Sequence, residues 1–327
     1  MTSKGIYRLE GYSVAPIPKE AIVDGNVSNL EQVSDAVKLA RKLLGSREKR
    51  AALALPASAV ITKKVMMPAD LREEEMELQV EAQANQYIPF PLEEVNIDFQ
   101  IIGPAANSPD EVEVLIAAAR KEKIEDRVAA AEDAGLKVTI MDVDTYATEA
   151  AYNLVSVQLP NQGKEQTVMI MDIGAGMMHI NVMHNNESIY VREQAFGGLQ
   201  LTQEIQRRFG LSVEEAEIAK RKGGLPDSYE SEVLQPFMQS LSSEVARALQ
   251  FFTSSTQYNR VDHIILAGGC ASIPLIANMV QEKTLVNTIV ANPFQSMTLA
   301  TKVKQQQIAI DAPALMVACG LAMRGLS

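Results

Sequence analysis

Cysteine and histidine are scarce in this chain, and their scarcity excludes the most easily recognised chemistries. Only Cys270 and Cys319 occur, both among small apolar neighbours, which reads as buried free thiols rather than a disulfide or a metal site. The three histidines, His179, His184 and His263, show no metal-ligand spacing. A basic face is missing too. With 30 Lys and Arg against 41 Asp and Glu the formal net charge is −11, which argues against a nucleic-acid partner and against direct binding to an anionic membrane. No secretory leader is visible. The longest apolar-looking run, 264–280, is interrupted by Gly, Ser, Pro and Asn and does not read as a membrane span. The expected compartment is the cytosol. Neither a Gly-x-x-x-x-Gly-Lys-Ser/Thr loop, nor Gly-x-Gly-x-x-Gly after a strand, nor Gly-x-Ser-x-Gly is found.

What is present is a chain of 327 residues with 47% hydrophobic content, enough for two ordinary domains. Apolar residues at helical spacing predict helices over 30–44, 122–134, 147–159, 199–209 and 233–258. Short apolar runs predict strands over 7–18, 50–56, 60–66, 97–102, 112–118 and 138–143. Further strands are predicted over 167–173, 178–184, 187–193 and 261–267. The acidic stretch 70–86 reads as a solvated helix, and 103–110, rich in Pro, Ala, Asn and Ser, as a loop. Ser212 and Glu215 have capping-box spacing. Strands alternating with helices place the chain in the α/β class. The order strand, helix, strand, strand, helix, strand within about 60–140 suggests a small α+β insert.

Three glycine turns carry the candidate chemistry. Asp172-Ile-Gly-Ala-Gly follows a strand; Gly174 and Ala175 can offer backbone N–H groups to a phosphate, and Asp172 suits a water-mediated Mg²⁺ contact. Gly268-Gly269 follows an apolar strand and precedes a helix, with Ser272 close behind, a geometry that can lie against a base or ribose. Gly197-Gly198 precedes another helix. Glu217 and Lys220 share one face of the helix after Ser212 and can either bind a nucleoside or form a solvated ion pair. Each turn alone is equally compatible with a plain tight turn.

Taken together, in this order and spacing, the turns resemble those of the actin, heat-shock-chaperone and sugar-kinase superfamily. Asp172-Ile-Gly-Ala-Gly matches its second phosphate motif and 266–272 its adenosine motif. The stretches 142–147 and 314–325 match its connecting helices. The resemblance narrows over nearly the whole chain. Ala59-Val-Ile-Thr-Lys-Lys, Gln86-Tyr-Ile-Pro-Phe-Pro-Leu-Glu-Glu, Ala119-Arg-Lys-Glu, Phe196-Gly-Gly-Leu-Gln-Leu-Thr-Gln-Glu-Ile, Gly223-Gly-Leu-Pro-Asp and Asp311-Ala-Pro-Ala-Leu-Met-Val-Ala-Cys-Gly-Leu-Ala-Met are similar to the PilM family of type IV pilus assembly proteins.

That resemblance implies a two-domain actin-like (FtsA-like) α/β fold with a small α+β inserted subdomain. The implied subdomains are 1A over 1–59, 1C over 60–140, 1A again over 141–163, 2A over 164–203, 2B over 204–258, 2A again over 259–310, and a closing helix of 1A over 311–327. It implies ATP and Mg²⁺ held by Asp172, Gly174, Ala175, Gly197, Gly198, Glu217, Lys220, Gly268, Gly269 and Ser272, with turnover slow at most. It implies a cytoplasmic protein of the pilus inner-membrane complex, serving twitching motility and homo-oligomer formation. Its partners would be the N-terminal tail of PilN, bound in a groove between 1A and 1C, and the motor proteins; membrane contact would run through partners alone. One motif departs from the family: the strand–turn–strand of the type Gly-Ile-Asp-Ile-Ser-Ser-Ser-Ser-Val-Lys, which carries the first phosphate motif, does not precede 7–18. The expectation is either a chain shortened at its start, with a sheet edge left open to strand exchange or an altered dimer, or a form unable to hold ATP normally. The alternatives are an FtsA-type cell-division ATPase, which would add a linker and a membrane helix after 325, and a nucleotide-free binding module.

Overall fold

A computed structural model describes residues 6–23, 25–105 and 108–326. The chain divides into two compact units: Gly11–Asp144, and the residues up to Glu10 together with those from Thr145 onwards. The expected strand over 7–18 contracts to β1 (Arg8–Leu9), because Pro16 and Pro18 offer no N–H and only two residues elsewhere pair with it.

In the first unit, β2 (Ile22–Val23) and β3 (Asn26–Val27) form a small hairpin. Helix α1 (Leu30–Leu44) starts at Asn29, whose side chain accepts the Gln32 N–H at 3.1 Å, and ends at Gly45 in the left-handed region (φ 62°). Strand β4 (Arg50–Leu55) follows, then β5 (Val60–Pro68), α2 (Glu73–Tyr87), β6 (Val95–Ala105), β7 (Ser108–Arg120), α3 (Lys121–Asp133) and β8 (Lys137–Val143). The sheet order β5-β7-β6 is antiparallel with β7 central. Met76, Val80 and Ala84, four residues apart along α2, pack onto Val65, Met67, Val114, Ile116 and Ala118 on one sheet face. The expected loop 103–110 is largely strand: β6 lies at the sheet edge, where Pro104 is tolerated, and the ladder with β7 runs to Ala105 and Ser108. The last expected strand of the insert does not join this sheet. As β8 it pairs in parallel with β4.

Helix α4 runs from Asp144 to Val155. The second unit then holds β9 (Thr167–Ile173), β10 (Met178–His184), β11 (Glu187–Gln194), α5 (Gly198–Phe209), α6 (Val213–Lys222), α7 (Gln235–Ser255), β12 (His263–Ala267), α8 (Ile276–Thr284), β13 (Asn287–Val290), β14 (Thr298–Leu299), α9 (Gln305–Asp311) and α10 (Met316–Arg324). Its five-stranded sheet has the order β11-β10-β9-β12-β13, antiparallel from β11 to β9 and parallel from β9 to β13; the short β14 pairs with β1 instead. β12 is buried throughout, which explains its unbroken apolar run. Asn185 and Asn186 turn β10 into β11 at φ 52° and 66°, the positive values such a two-residue hairpin needs. β13 escapes the sequence pattern because only Ile289 and Val290 of its four residues are apolar.

The run Gln305–Arg324 is long and apolar enough to cross a membrane by length and composition. Here it is a core element: a 3₁₀ turn around Pro313 breaks it, and Ala312, Leu315, Met316 and Cys319 are buried.

Removing core volume from the insert has a defined cost. Ile116→Ala, at a site 3% exposed, is expected to lower the unfolding free energy by about 2–5 kcal/mol. Leu78→Ala, at a site 68% exposed on α2, stays within about 0.5 kcal/mol of wild type. Urea denaturation of the two variants measures both.

Candidate functional site

β9 ends on Asp172 and Ile173, and the chain reverses into β10 through Gly174, whose N–H donates to the Met177 carbonyl at 3.0 Å. The two carbonyls at the crest of this turn are used by the second glycine turn. Gly174 accepts the Gly198 N–H at 3.0 Å and Ala175 accepts the Leu199 N–H at 2.8 Å, so the first N–H groups of α5 are capped by the β9–β10 turn. The backbones lie so close that a Cβ on Gly197 would fall 2.6 Å from the Gly174 carbonyl oxygen.

The third turn closes from the other side. Gly268 follows β12 at φ 81°, and a Cβ there would fall 2.5 Å from Asp172 Oδ1. Its N–H donates to the Pro313 carbonyl at 2.8 Å, and the Cys270 thiol lies 3.6 Å from the Gly174 carbonyl oxygen. Three turns that are 94 residues apart at their extremes in sequence thus meet at one point.

The α6 side is equally closed. Ser212 and Glu215 form the expected capping box, at 3.2 and 2.8 Å. Lys220 Nζ donates to Glu217 Oε1 at 2.6 Å, to Thr202 Oγ1 at 2.7 Å and to the Gly198 carbonyl at 3.2 Å, which occupies all three of its protons. Thr202 also bonds to Glu217. The Lys220 and Glu217 side chains are 18% and 28% exposed, so the solvated-pair alternative does not hold. Burial pushes the Glu217 carboxyl up, but the Lys220 and Thr202 hydrogen bonds and the charges of Lys220 and Arg221 outweigh it, and the group lies below the ordinary range.

Of the ten residues singled out in sequence, nine converge on this junction. Ser272 sits apart, its hydroxyl tied to the Ile310 carbonyl at 2.9 Å. Gly197, Gly198 and Gly268 are buried, whereas Ala175 and Gly269 are exposed and Asp172 is half-buried. Thr202 and Cys270 were not anticipated. Thr202 could have been found from its spacing, four residues after Gly198 on the face turned to Lys220. Burial pushes the Cys270 thiol up to about 11, so its role is packing beneath the turn.

The family model for the type IV pilus assembly protein PilM matches residues 1–326. The chain belongs to this family. Its fold is the actin-like α/β fold with a small inserted subdomain, and it is a type IV pilus assembly protein. A solved PilM-PilN type IV pilus biogenesis complex is 27% identical, with a TM-score of 0.77 over 95% of this chain and 90% of that one. The ethanolamine utilization protein EutJ from Carboxydothermus hydrogenoformans shares the fold at 15% identity and a TM-score of 0.53, over 93% and 77% of the two chains. MreB5 of Spiroplasma citri, solved with ADP, is 16% identical with a TM-score of 0.45 over 92% and 77%.

Two outcomes follow from this junction. Gly197→Ala, which drives a Cβ into backbone, is expected to cost about 1–3 kcal/mol. Gly269→Ala, with nothing within 4 Å of its Cβ, is expected to be neutral within about 0.5 kcal/mol in thermal unfolding. Glu217 also sets a pH dependence. Because its folded-state value is depressed, its stabilisation is present above the unfolded carboxyl value and is lost as pH falls through the folded one. The stability gap between wild type and Glu217→Gln is expected to be full at neutral pH and to close below about pH 4, read by urea denaturation at several pH values.

Proposed function

We propose that this protein is a nucleotide-responsive scaffold that grips the N-terminal cytoplasmic tail of PilN. The observation that carries the reading is a cavity of about 320 Å³ within the first unit, lined by Asn26, Ser58, Ile61, Phe90, Val95 and Arg120. Its walls come from the β2–β3 hairpin and the 57–59 turn on one side and the β5-β7-β6 sheet on the other. They are mostly apolar, as a groove for an extended peptide needs to be. Arg120 lies over the Phe90 ring at 5.4 Å with its Nη2 3.1 Å from Glu122 Oε2, and among the described residues its buried Nε has no hydrogen-bond partner, a donor that a peptide carbonyl entering the cavity could satisfy. The solved PilM-PilN complex supports the choice of partner.

ATP with Mg²⁺ belongs to the same reading, at the exposed lip of the glycine junction. Asp172, Ala175 and Gly269 fit as ligand contacts there, with Mg²⁺ reached through water. Gly174, Gly197, Gly198, Gly268, Glu217 and Lys220 would hold the lip in shape, since their donors are engaged within the protein or they are buried. Bound nucleotide would add charge for this lip to clasp, with slow turnover at most. In this reading the protein works on the cytoplasmic face of the inner membrane through PilN and the motor proteins, in twitching motility. The peptide, in the same reading, lies between the β2–β3 hairpin with the 57–59 turn and the β5-β7-β6 sheet, within the first unit.

Calorimetry with a synthetic peptide of the PilN tail tests the proposal. Arg120→Ala and Phe90→Ala are expected to weaken the peptide by about tenfold or more. Asp172→Ala is expected to weaken Mg-ATP binding and to leave the peptide affinity measured without nucleotide unchanged. Peptide binding unaffected by both groove substitutions would sink the groove, and no binding by wild type would sink the reading.

A further inference from the structure

The second unit carries another groove, independent of the peptide cavity and of the glycine junction. It lies where β11 meets α7 and has a volume of about 380 Å³, lined by Arg192, Gln194, Glu244, Arg247, Phe251 and Ser254. β11 is the outer strand of the five-stranded sheet, with β10 as its only neighbour among the described residues. Its open edge has definite ends. The Glu149 carboxylate takes the Ser188 N–H at one end, and the Gln194 carbonyl accepts the Phe196 N–H at the other. The ladder with β10 skips Ile189, and beyond that irregularity the main-chain groups of Tyr190–Glu193 that β10 leaves unused lie on the edge, the arrangement to which an extended peptide can add as a further strand.

The side chains above this edge are built for negative charge. The Arg192 guanidinium lies 4.0 Å from the centre of the Phe251 ring, and among the described residues it has no carboxylate partner. Phe251 is 46% exposed, so the stacked pair faces outward. Glu244 is occupied from within the groove by Gln194 and Arg247. Two arginines against one glutamate leave a net charge of +1 in a chain whose net charge is −11. Stacking holds the Arg192 fork in place, so its donors are pre-oriented for a carboxylate. A second copy of the chain does not suit this edge. Pairing β11 with its own symmetry mate would bring Arg192 and Arg247 towards another Arg192 and Arg247.

We infer that the β11 edge and the Arg192–Phe251 groove form a docking site for an extended acidic segment of another protein. The segment adds as a sixth strand and places Asp or Glu side chains, two residues apart, against Arg192 and Arg247.

A random-peptide phage library panned on the full chain tests this, with enriched sequences remade as fluorescent peptides and measured by anisotropy. Enriched peptides should carry Asp or Glu at alternate positions and slow hydrogen exchange of the Tyr190–Glu193 amides. They should bind Arg192→Glu and Phe251→Ala about tenfold or more weakly, with both variants retaining the wild-type melting temperature. Enrichment without an acidic pattern, equal binding to both variants, or unchanged exchange along β11 would each overturn the inference. So would self-association of the wild-type chain that Arg192→Glu abolishes, since the occupant would then be a second copy.

Discussion

Two backbone hydrogen bonds, from Gly198 and Leu199 to the carbonyls of Gly174 and Ala175, are the constraint on which the second unit is built. They fix the point at which the sheet stops and α5 starts, and they demand a glycine at 197 because no Cβ fits between the two turns. Other elements then register on the same few atoms. α6 reaches the Gly198 carbonyl through Lys220, the β12 turn reaches the Gly174 carbonyl through Cys270, and the segment between α9 and α10 is joined at Pro313 by the Gly268 N–H. Four elements, α5, α6, the β12 turn and the α9–α10 segment, are therefore indexed to one junction.

This junction reverses the usual argument from glycine turns to phosphate binding. Glycine lets a backbone approach closely, but the approaching group here is another backbone. Donors already committed to carbonyls at 2.8–3.0 Å are not offered to an anion. What the junction can present is its exposed lip, held rigid by everything beneath. The buried glycines therefore set the position of the turns against one another. The lysine that looked like a nucleoside ligand is spent on a carboxylate, a hydroxyl and a carbonyl.

How much of this was legible in the sequence depends on where the information lies. α1 was readable to the residue because a cap, a stripe and a stop glycine are all local. The capping box at Ser212 and the Asn185-Asn186 turn were readable for the same reason. The pairing of β8 with β4, rather than with the insert sheet, was not, since 87 residues separate Arg50 from its partner Lys137 and strand alternation does not name a neighbour. The length of β6 and β7 was hidden by Pro104, which is a breaker in a central strand and harmless at an edge. The convergence of the glycine turns was suggested by resemblance, but which of them are buried was decided by tertiary packing alone. Thr202 was legible only as a spacing, four residues after Gly198, and Cys270 only as a buried thiol; that both meet the Gly174–Gly198 contact is a tertiary fact.

The two grooves share a device that the composition makes conspicuous. The chain has eight phenylalanines, and two of them, Phe90 and Phe251, sit in grooves beneath an arginine at 5.4 and 4.0 Å. A guanidinium resting on a ring is held in one orientation and gives up little further side-chain freedom when a ligand arrives; Arg120 is held further by Glu122 at 3.1 Å. In an acidic protein this confines positive potential to a few pre-oriented forks, while the remaining surface repels acidic partners. Each fork can be removed without disturbing the cores described above, because neither arginine belongs to them.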